Sequence, residues 1–243
     1  MLSALKKSLR LYKTHIGKIL VIGLSIILPV QIIYTLVVNF LTLPFFYFGI
    51  PLWPDIFQGL FMIMGLYFIQ LPLISLAIQS WRSDEVKLSK VYGDTLEAGF
   101  FVYLASIPYA IFTTLGMFLL VLPGIALLIL FMGVPFIKLA QKGTAASVFR
   151  QAFRFGKDHF FSILGILFIF ALVDFALSYG ISAVVFVYIG QIAALNWTLM
   201  IINMLLLPLF VFTISYLYAE WSGEREEQHI ESDEDSPIGT SVI

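Results

Sequence analysis

From Ala98 to Ile137 the chain carries no Asp, Glu, Lys or Arg. Roughly 20 apolar residues at 1.5 Å per residue cross the ~30 Å hydrocarbon core of a bilayer, so this run is long enough to cross twice. The rest of the chain agrees: 60% of residues are apolar and 12% are charged, about half the charge of a soluble domain. The sequence therefore reads as an all-α, polytopic membrane protein.

Six spans can be drawn, at about Lys18–Phe40, Ile56–Gln79, Ala98–Leu119, Gly124–Leu139, Phe160–Tyr179 and Trp197–Tyr218. The first follows a basic segment, as a signal peptide does. Its apolar run is a full span without a small-residue cleavage site, so it reads as retained. Within the uncharged run, Pro123-Gly124 in "LVLPGIALL" supplies a turn that makes spans three and four a hairpin. The segments "FLTLPFFYFGIPLWPDIF" and "YGISAVVFVYIGQIAALNW" are apolar and aromatic. They are expected to lie in the membrane interface, the second with room for a short re-entrant helix.

The basic residues assign an orientation. All 14 Lys and Arg fall before span one, between two and three, at or between four and five, or after six, and none falls in 41–55, 120–123 or 180–196. By the positive-inside rule both termini and both basic loops are expected to be cytoplasmic.

Two stretches echo each other 144 positions apart. "LRLYKTHIGKIL" and "FRFGKDHFFSIL" set Arg10 on Arg154, Lys13 on Lys157, His15 on His159, and Ile19-Leu20 on Ile163-Leu164. Helical spacing puts Leu2, Leu5, Leu9 and Tyr12 opposite Lys6, Lys7, Arg10 and Lys13. Ala145, Phe149, Ala152 and Phe153 stand likewise opposite Arg150, Arg154 and Lys157. A weaker copy sets Leu88, Val91 and Tyr92 beside Lys87 and Lys90. The chain thus divides into three units, 1–80, 81–140 and 141–221. Each is a cytoplasmic amphipathic helix leading into a transmembrane hairpin, and 222–243 is expected to be a disordered acidic tail. The basic faces suit two uses: anchoring on anionic lipid head groups, or a docking surface for a protein partner.

The stretch "LPGIALLILFMGVPFIKLAQKGTAASVFRQAFRFGKDHFFSILGILFIF", Leu122 to Phe170, resembles the signature of a bacterial six-span family. That family includes the membrane domain of some glycerophosphodiester phosphodiesterases and many stand-alone proteins of unknown function. The Ala4-Leu5-x-x-Ser8 pattern of the first amphipathic helix fits it too, whereas the later copy has Ala152 at the serine position. The resemblance implies fold, topology and residence in a bacterial cytoplasmic membrane, but no activity. The phosphodiesterase's catalytic domain is not expected in this chain.

Reactive chemistry is sparse. Cysteine is absent, which removes thiolate ligands and nucleophiles. His15 and His159 lack carboxylates at ligand spacing apart from Asp158, and no phosphate-cradling glycine loop, nucleophile elbow or zinc-protease motif occurs. No catalytic residue, metal ligand or cofactor is assigned. Membrane lipids are expected partners and nucleic acid is not.

Among the polar groups within the spans, Asp174, Gln31, Gln70 and Asn203 stand out. An acid in hydrocarbon faces inward and has a partner or a use, and amides either join helices or line a site. Pro29, Pro72, Pro108, Pro135 and Pro208 interrupt every span except the fifth, which serves packing or a binding site equally. Two functions follow. One is a non-enzymatic accessory, lipid-associated or partner-binding component of the cytoplasmic membrane. The alternative is a small transporter or channel for an ion, polar solute or lipid, using Asp174 and the intramembrane amides. Transport requires those four residues to converge on one cavity; a scaffold requires a filled bundle with Asp174 at its rim.

Overall fold

A computed structural model describes residues 2–50, 52–82, 85–141, 143–188 and 192–234. Every element among them is helical, because hydrocarbon offers the backbone no partner and a helix satisfies its own N–H and C=O groups. Among the described residues, six helices are long and apolar enough to cross a membrane: Ile16–Tyr47, Leu52–Arg82, Leu88–Leu119, Val121–Ala140, Phe160–Val185 and Ala194–Gly223. They form three successive hairpins. In chain order the elements are α1 (Leu2–Thr14), α2 (Ile16–Ile22), a π-helical turn (Gly23–Ile27), α3 (Leu28–Tyr47), α4 (Leu52–Arg82) and α5 (Leu88–Leu119). Then come α6 (Val121–Phe131), α7 (Val134–Ala140), α8 (Ala145–Asp158), α9 (Phe160–Tyr188) and α10 (Ile192–Glu234).

The sequence echo is repeated in geometry. His15 breaks α1 from α2 at φ −116°, ψ 22°, and His159 breaks α8 from α9 at φ −113°, ψ 22°. The same backbone hydrogen bonds bridge both breaks: His15 N–H to Leu11 O and Ile19 N–H to His15 O, then His159 N–H to Phe155 O and Ile163 N–H to His159 O. Burial repeats as well. Ala4, Ser8, Leu11, Ile19 and Ile22 are buried, and so are their counterparts Val148, Ala152, Phe155, Ile163 and Ile166.

This stripe differs from the one expected in the first helix. Leu9 and Phe153 are 42% and 43% exposed, while the buried face carries a small residue, Ser8 or Ala152, that lets each helix approach a span closely. Ser8 donates to Leu5 O and accepts from Thr213 Oγ1 at 3.0 Å. In the later copy closeness comes from Gly156, where a Cβ would meet Leu130 Cα at 2.5 Å.

The docking is cyclic. The lead-in helix α1 packs on α10, α8 packs on α6 and α7, and α5 packs along α4. Each lead-in segment therefore sits on the second span of the preceding unit, with unit one closing onto unit three. The middle lead-in is not a separate helix: it forms the first turns of α5, tied to α4 by Ser75 Oγ donating to Asp94 Oδ2 at 2.6 Å and by Lys87 N–H donating to Gln79 Oε1 at 2.9 Å.

Several boundaries depart from the sequence reading. Spans three and four part at Leu120, which is extended (φ −154°, ψ 116°). Pro123 instead occupies the first turn of α6, where a missing N–H goes unnoticed. Gly124 lies so close to Met117 that no Cβ would fit. The aromatic segments expected in the interface continue the spans as helix, through Tyr47 in α3 and Tyr188 in α9. The re-entrant helix expected in the second of them is not formed among the described residues, because α9 continues to Tyr188 and α10 begins at Ile192, and 189–191 lie outside the described residues. Phe45 stacks on Trp53 and Phe57 at 6.0 and 5.4 Å, which fastens the α3–α4 turn. Finally, α10 runs on to Glu234, into the segment expected to be disordered, where Glu, Arg and Gln are good helix formers. Residues 235–243 lie outside the described part.

Span four is broken between α6 and α7, and two buried tyrosines repair the break. Pro135 has no N–H for Phe131 O, and Met132 N–H turns to Ile129 O rather than Leu128 O. Tyr67 donates to Phe131 O at 2.5 Å and Tyr109 to Leu128 O at 2.8 Å, with their rings 4.5 Å apart. Tyr67→Phe is expected to lower stability by about 1 kcal/mol, the scale of one buried interhelical hydrogen bond. Thermal unfolding of the detergent-solubilised protein measures it, and an unchanged midpoint would show that Tyr67 leaves the break unsupported.

Candidate functional site

Four helices each turn one stripe toward a common space. From α3 come Val30, Gln31, Tyr34 and Thr35; from α4, Gln58, Met62, Gly65, Leu66 and Ile69. From α9 come Leu167, Phe170, Ala171 and Asp174, and from α10 Met200, Asn203, Leu206, Leu207 and Phe210. The spacing in every case is the three-or-four-residue step of one helix face. Together they enclose a cavity of about 540 Å³.

The packing order explains why a space is left there. Span one packs on span two, span two on span six, and span six on span five. The four make an arc whose open side lies between spans one and five, which are not among the extensively packed pairs. Gln58, Met62 and Asn203 are among the lining residues that are exposed. On the side nearer α1 and α8 the arc is filled, with Ile22, Ile74, Ile163, Val211 and Phe212 buried in one apolar core. The cavity lies on the far side of that core.

Three of the four polar residues singled out from sequence meet here: Asp174, Gln31 and Asn203. Gln70 does not. It points into the core beside the lining residue Ile69, 1% exposed, and its Oε1 has no hydrogen-bond partner. Tyr34, Thr35 and Gln58 also line the cavity and were missed. The signal available was Gln31, Tyr34 and Thr35 at i, i+3 and i+4, a polar stripe on one face of an apolar helix.

Polar partnering inside the cavity is incomplete. Asp174 Oδ1 and Gln31 Oε1 are buried atoms without a hydrogen-bond partner. Tyr34 donates its hydroxyl to Gln58 O at 3.1 Å, and Thr35 donates to Gln31 O at 2.9 Å. No Lys, Arg or His lines the space.

The basic residues singled out from sequence gather on the opposite face. Lys6, Lys7, Arg10 and Lys13 are exposed along α1, and Arg150, Arg154 and Lys157 along α8. Lys7 pairs with Glu220 at 2.9 Å. Asp158, the acid next to His159, accepts from Trp221 Nε1 at 3.0 Å and so fixes α8 to α10. No group of three metal-binding side chains occurs among the described residues. Protein-family models, curated proteins and solved structures provide no match to this chain.

Two outcomes follow. An unpartnered acid is a stability cost retained for use, so Asp174→Leu is expected to raise the thermal midpoint, by about 1 kcal/mol of stability. A lowered midpoint would mean that Asp174 serves packing. At the α1–α2 break, burial and the Lys18 ammonium hold the His15 imidazole below its ordinary range. Because the unfolded chain binds the proton more readily, His15's contribution is present above pH 6.5 and is lost as pH falls through the lowered value. Imidazole NMR titration should find His15 protonating below 6.5, and His15→Gln should blunt the acid sensitivity of the midpoint.

Proposed function

We propose that the protein is a non-enzymatic, lipid-associated component of a bacterial cytoplasmic membrane that holds an amphipathic molecule drawn sideways from the bilayer. The convergence of Asp174, Gln31 and Asn203, from three different spans, on one cavity of about 540 Å³ carries this reading. That volume falls within the range of small-molecule sites, about 300–1,000 Å³. An opening between two spans gives access to molecules dissolved in the membrane, and buried polar groups without partners supply a reason for one to stay. With the basic face cytoplasmic by the positive-inside rule, both termini lie inside and the cavity opens to the outer leaflet. The exposed basic faces of α1 and α8 suit attachment to anionic lipid on the inner side, and leave a surface for a protein partner.

One observation favours a second reading, transport of that molecule. The π-helical turn at Gly23–Ile27 and Pro29 lie just below the cavity in span one, where a helix can change its bend. This version predicts uptake or flipping in reconstituted vesicles that stops when the turn is regularised. An open channel is disfavoured by the filled half of the arc.

Gly65 gives the direct test of binding. A Cβ there would meet nothing closer than Tyr34 Cδ2 at 4.0 Å, so Gly65→Phe should fill the cavity without disturbing the helices. Native mass spectrometry from lipid nanodiscs is expected to find one retained amphiphile per wild-type chain and about a tenfold loss in the variant, at an unchanged thermal midpoint. Equal retention in both would end the reading.

A further inference from the structure

We infer that the molecule held in this cavity is an amphiphile with a protonated amine head and no phosphate or carboxylate. The inference rests on the cavity being a binding site and names the chemistry of its occupant.

Polarity in the cavity is ordered along the membrane normal. Spans one and five run away from the basic face, and spans two and six run back toward it. Gln31, Thr35, Gln58, Asp174 and Asn203 therefore sit toward the far face, while Leu66, Ile69, Leu167, Leu207 and Phe210 form the deep end. From Gln58 to Ile69 the pocket extends about 16 Å along α4, at 1.5 Å per residue. An occupant with its head beside Asp174 and its tail toward the membrane centre is oriented as an outer-leaflet lipid already is. It can slide in between spans one and five without turning over.

The head must donate hydrogen bonds. Tyr34 and Thr35 have spent their hydroxyl hydrogens on backbone carbonyls, which leaves oxygen lone pairs toward the cavity. Asp174 is an acceptor when ionised, and its Oδ1 is buried without a partner. The amides of Gln31, Gln58 and Asn203 can present either end, so they adapt to the head rather than define it. The fixed groups are thus acceptors, one of them an acid.

Charge narrows the choice further. With no Lys, Arg or His among the lining residues, a phosphate or carboxylate head would be buried against Asp174 with nothing to neutralise it. A phosphoethanolamine head fails for the same reason, since placing its amine at Asp174 draws its phosphate into the apolar end. An ammonium joined directly to an alkyl tail matches both ends: a carboxylate accepts charge-assisted hydrogen bonds from it, and the tail meets the leucines and Phe210.

Three photoactivatable probes sharing one alkyl tail, ending in amine, alcohol or carboxylate, test this on the full chain in nanodiscs of uncharged lipid. The amine is expected to label the cavity-lining peptides about tenfold more than either other probe, the size of one charge-assisted hydrogen bond. Asp174→Asn should bring the amine down to the level of the alcohol, and Gly65→Phe should abolish labelling by both. Equal labelling by amine and alcohol, stronger labelling by carboxylate, or an amine preference that survives Asp174→Asn would overturn the amine assignment and leave the binding site standing. Absence of labelling by all three, or labelling unaffected by Gly65→Phe, would overturn the site and this inference with it.

Discussion

A polar group in hydrocarbon has no water to fall back on, and most of this structure answers that condition. It restricts the backbone to helices and makes each break in a helix an event that something else must repair. In span four the repair is visible. Pro135 frees Phe131 O, the turn into α7 frees Leu128 O, and Tyr67 and Tyr109 reach in from spans two and three to bond them. The Tyr67 bond holds the first hairpin to the second at the point where the second is weakest, and the Tyr109 bond ties the two spans of the second hairpin together there. The same condition gives the unpartnered Asp174 Oδ1 its meaning, since of the buried polar atoms left without a partner among the described residues it is the one that belongs to an acid.

The cyclic docking of lead-in segments explains how three similar units build an asymmetric object. Each lead-in segment closes onto the preceding unit's second span on the basic side, so that half is fully packed. Toward the far face the units differ. Spans two and three pack along most of their length, whereas α3 and α9 have only slight contact with the neighbouring unit's second span. One seam of the approximate threefold arrangement is sealed, and the seam between units three and one stands open as the cavity. Size at the docking points follows the same logic: Ser8 and Ala152 occupy equivalent buried positions, so smallness is the shared requirement and the Ser8 hydroxyl bond to Thr213 is particular to one copy.

Much of this was legible in the sequence because it depends on local pattern. The uncharged run dictated a hairpin, and the Arg–Lys–His echo marked two equivalent breaks whose dihedral angles agree within a few degrees. Details set by tertiary contact were not legible. Pro123-Gly124 has the chemistry of a turn, yet Gly124 is needed for its closeness to Met117 and the chain turns at Leu120. Leu9 and Tyr12 have the spacing of a buried face, but which stripe of an amphipathic helix is covered depends on the span beside it. Gln70 and Gln31 look alike in sequence, and only the rotation of α4 against its neighbours turns Gln70 into the core and away from the cavity.

A lone acid in a membrane helix is ambiguous until its surroundings are known, because a partner base, a proton or a ligand can each satisfy it. The surroundings of Asp174 remove the first option, since no lining residue is basic. They also limit what the cavity can select. If the proposal holds, a pocket whose fixed polar groups accept hydrogen bonds, with an apolar floor and a side door, would reject the anionic lipids that basic helices on the other face would attract. The two faces of the protein thus address different chemistry. On the proposed reading, the lead-in helices would hold the protein to anionic lipid surfaces in general, while the cavity would discriminate among what diffuses past in the opposite leaflet. Selectivity needs no positive recognition of shape here. In the proposal it follows from placing an acid, with no basic residue beside it, where an anion cannot afterwards be solvated.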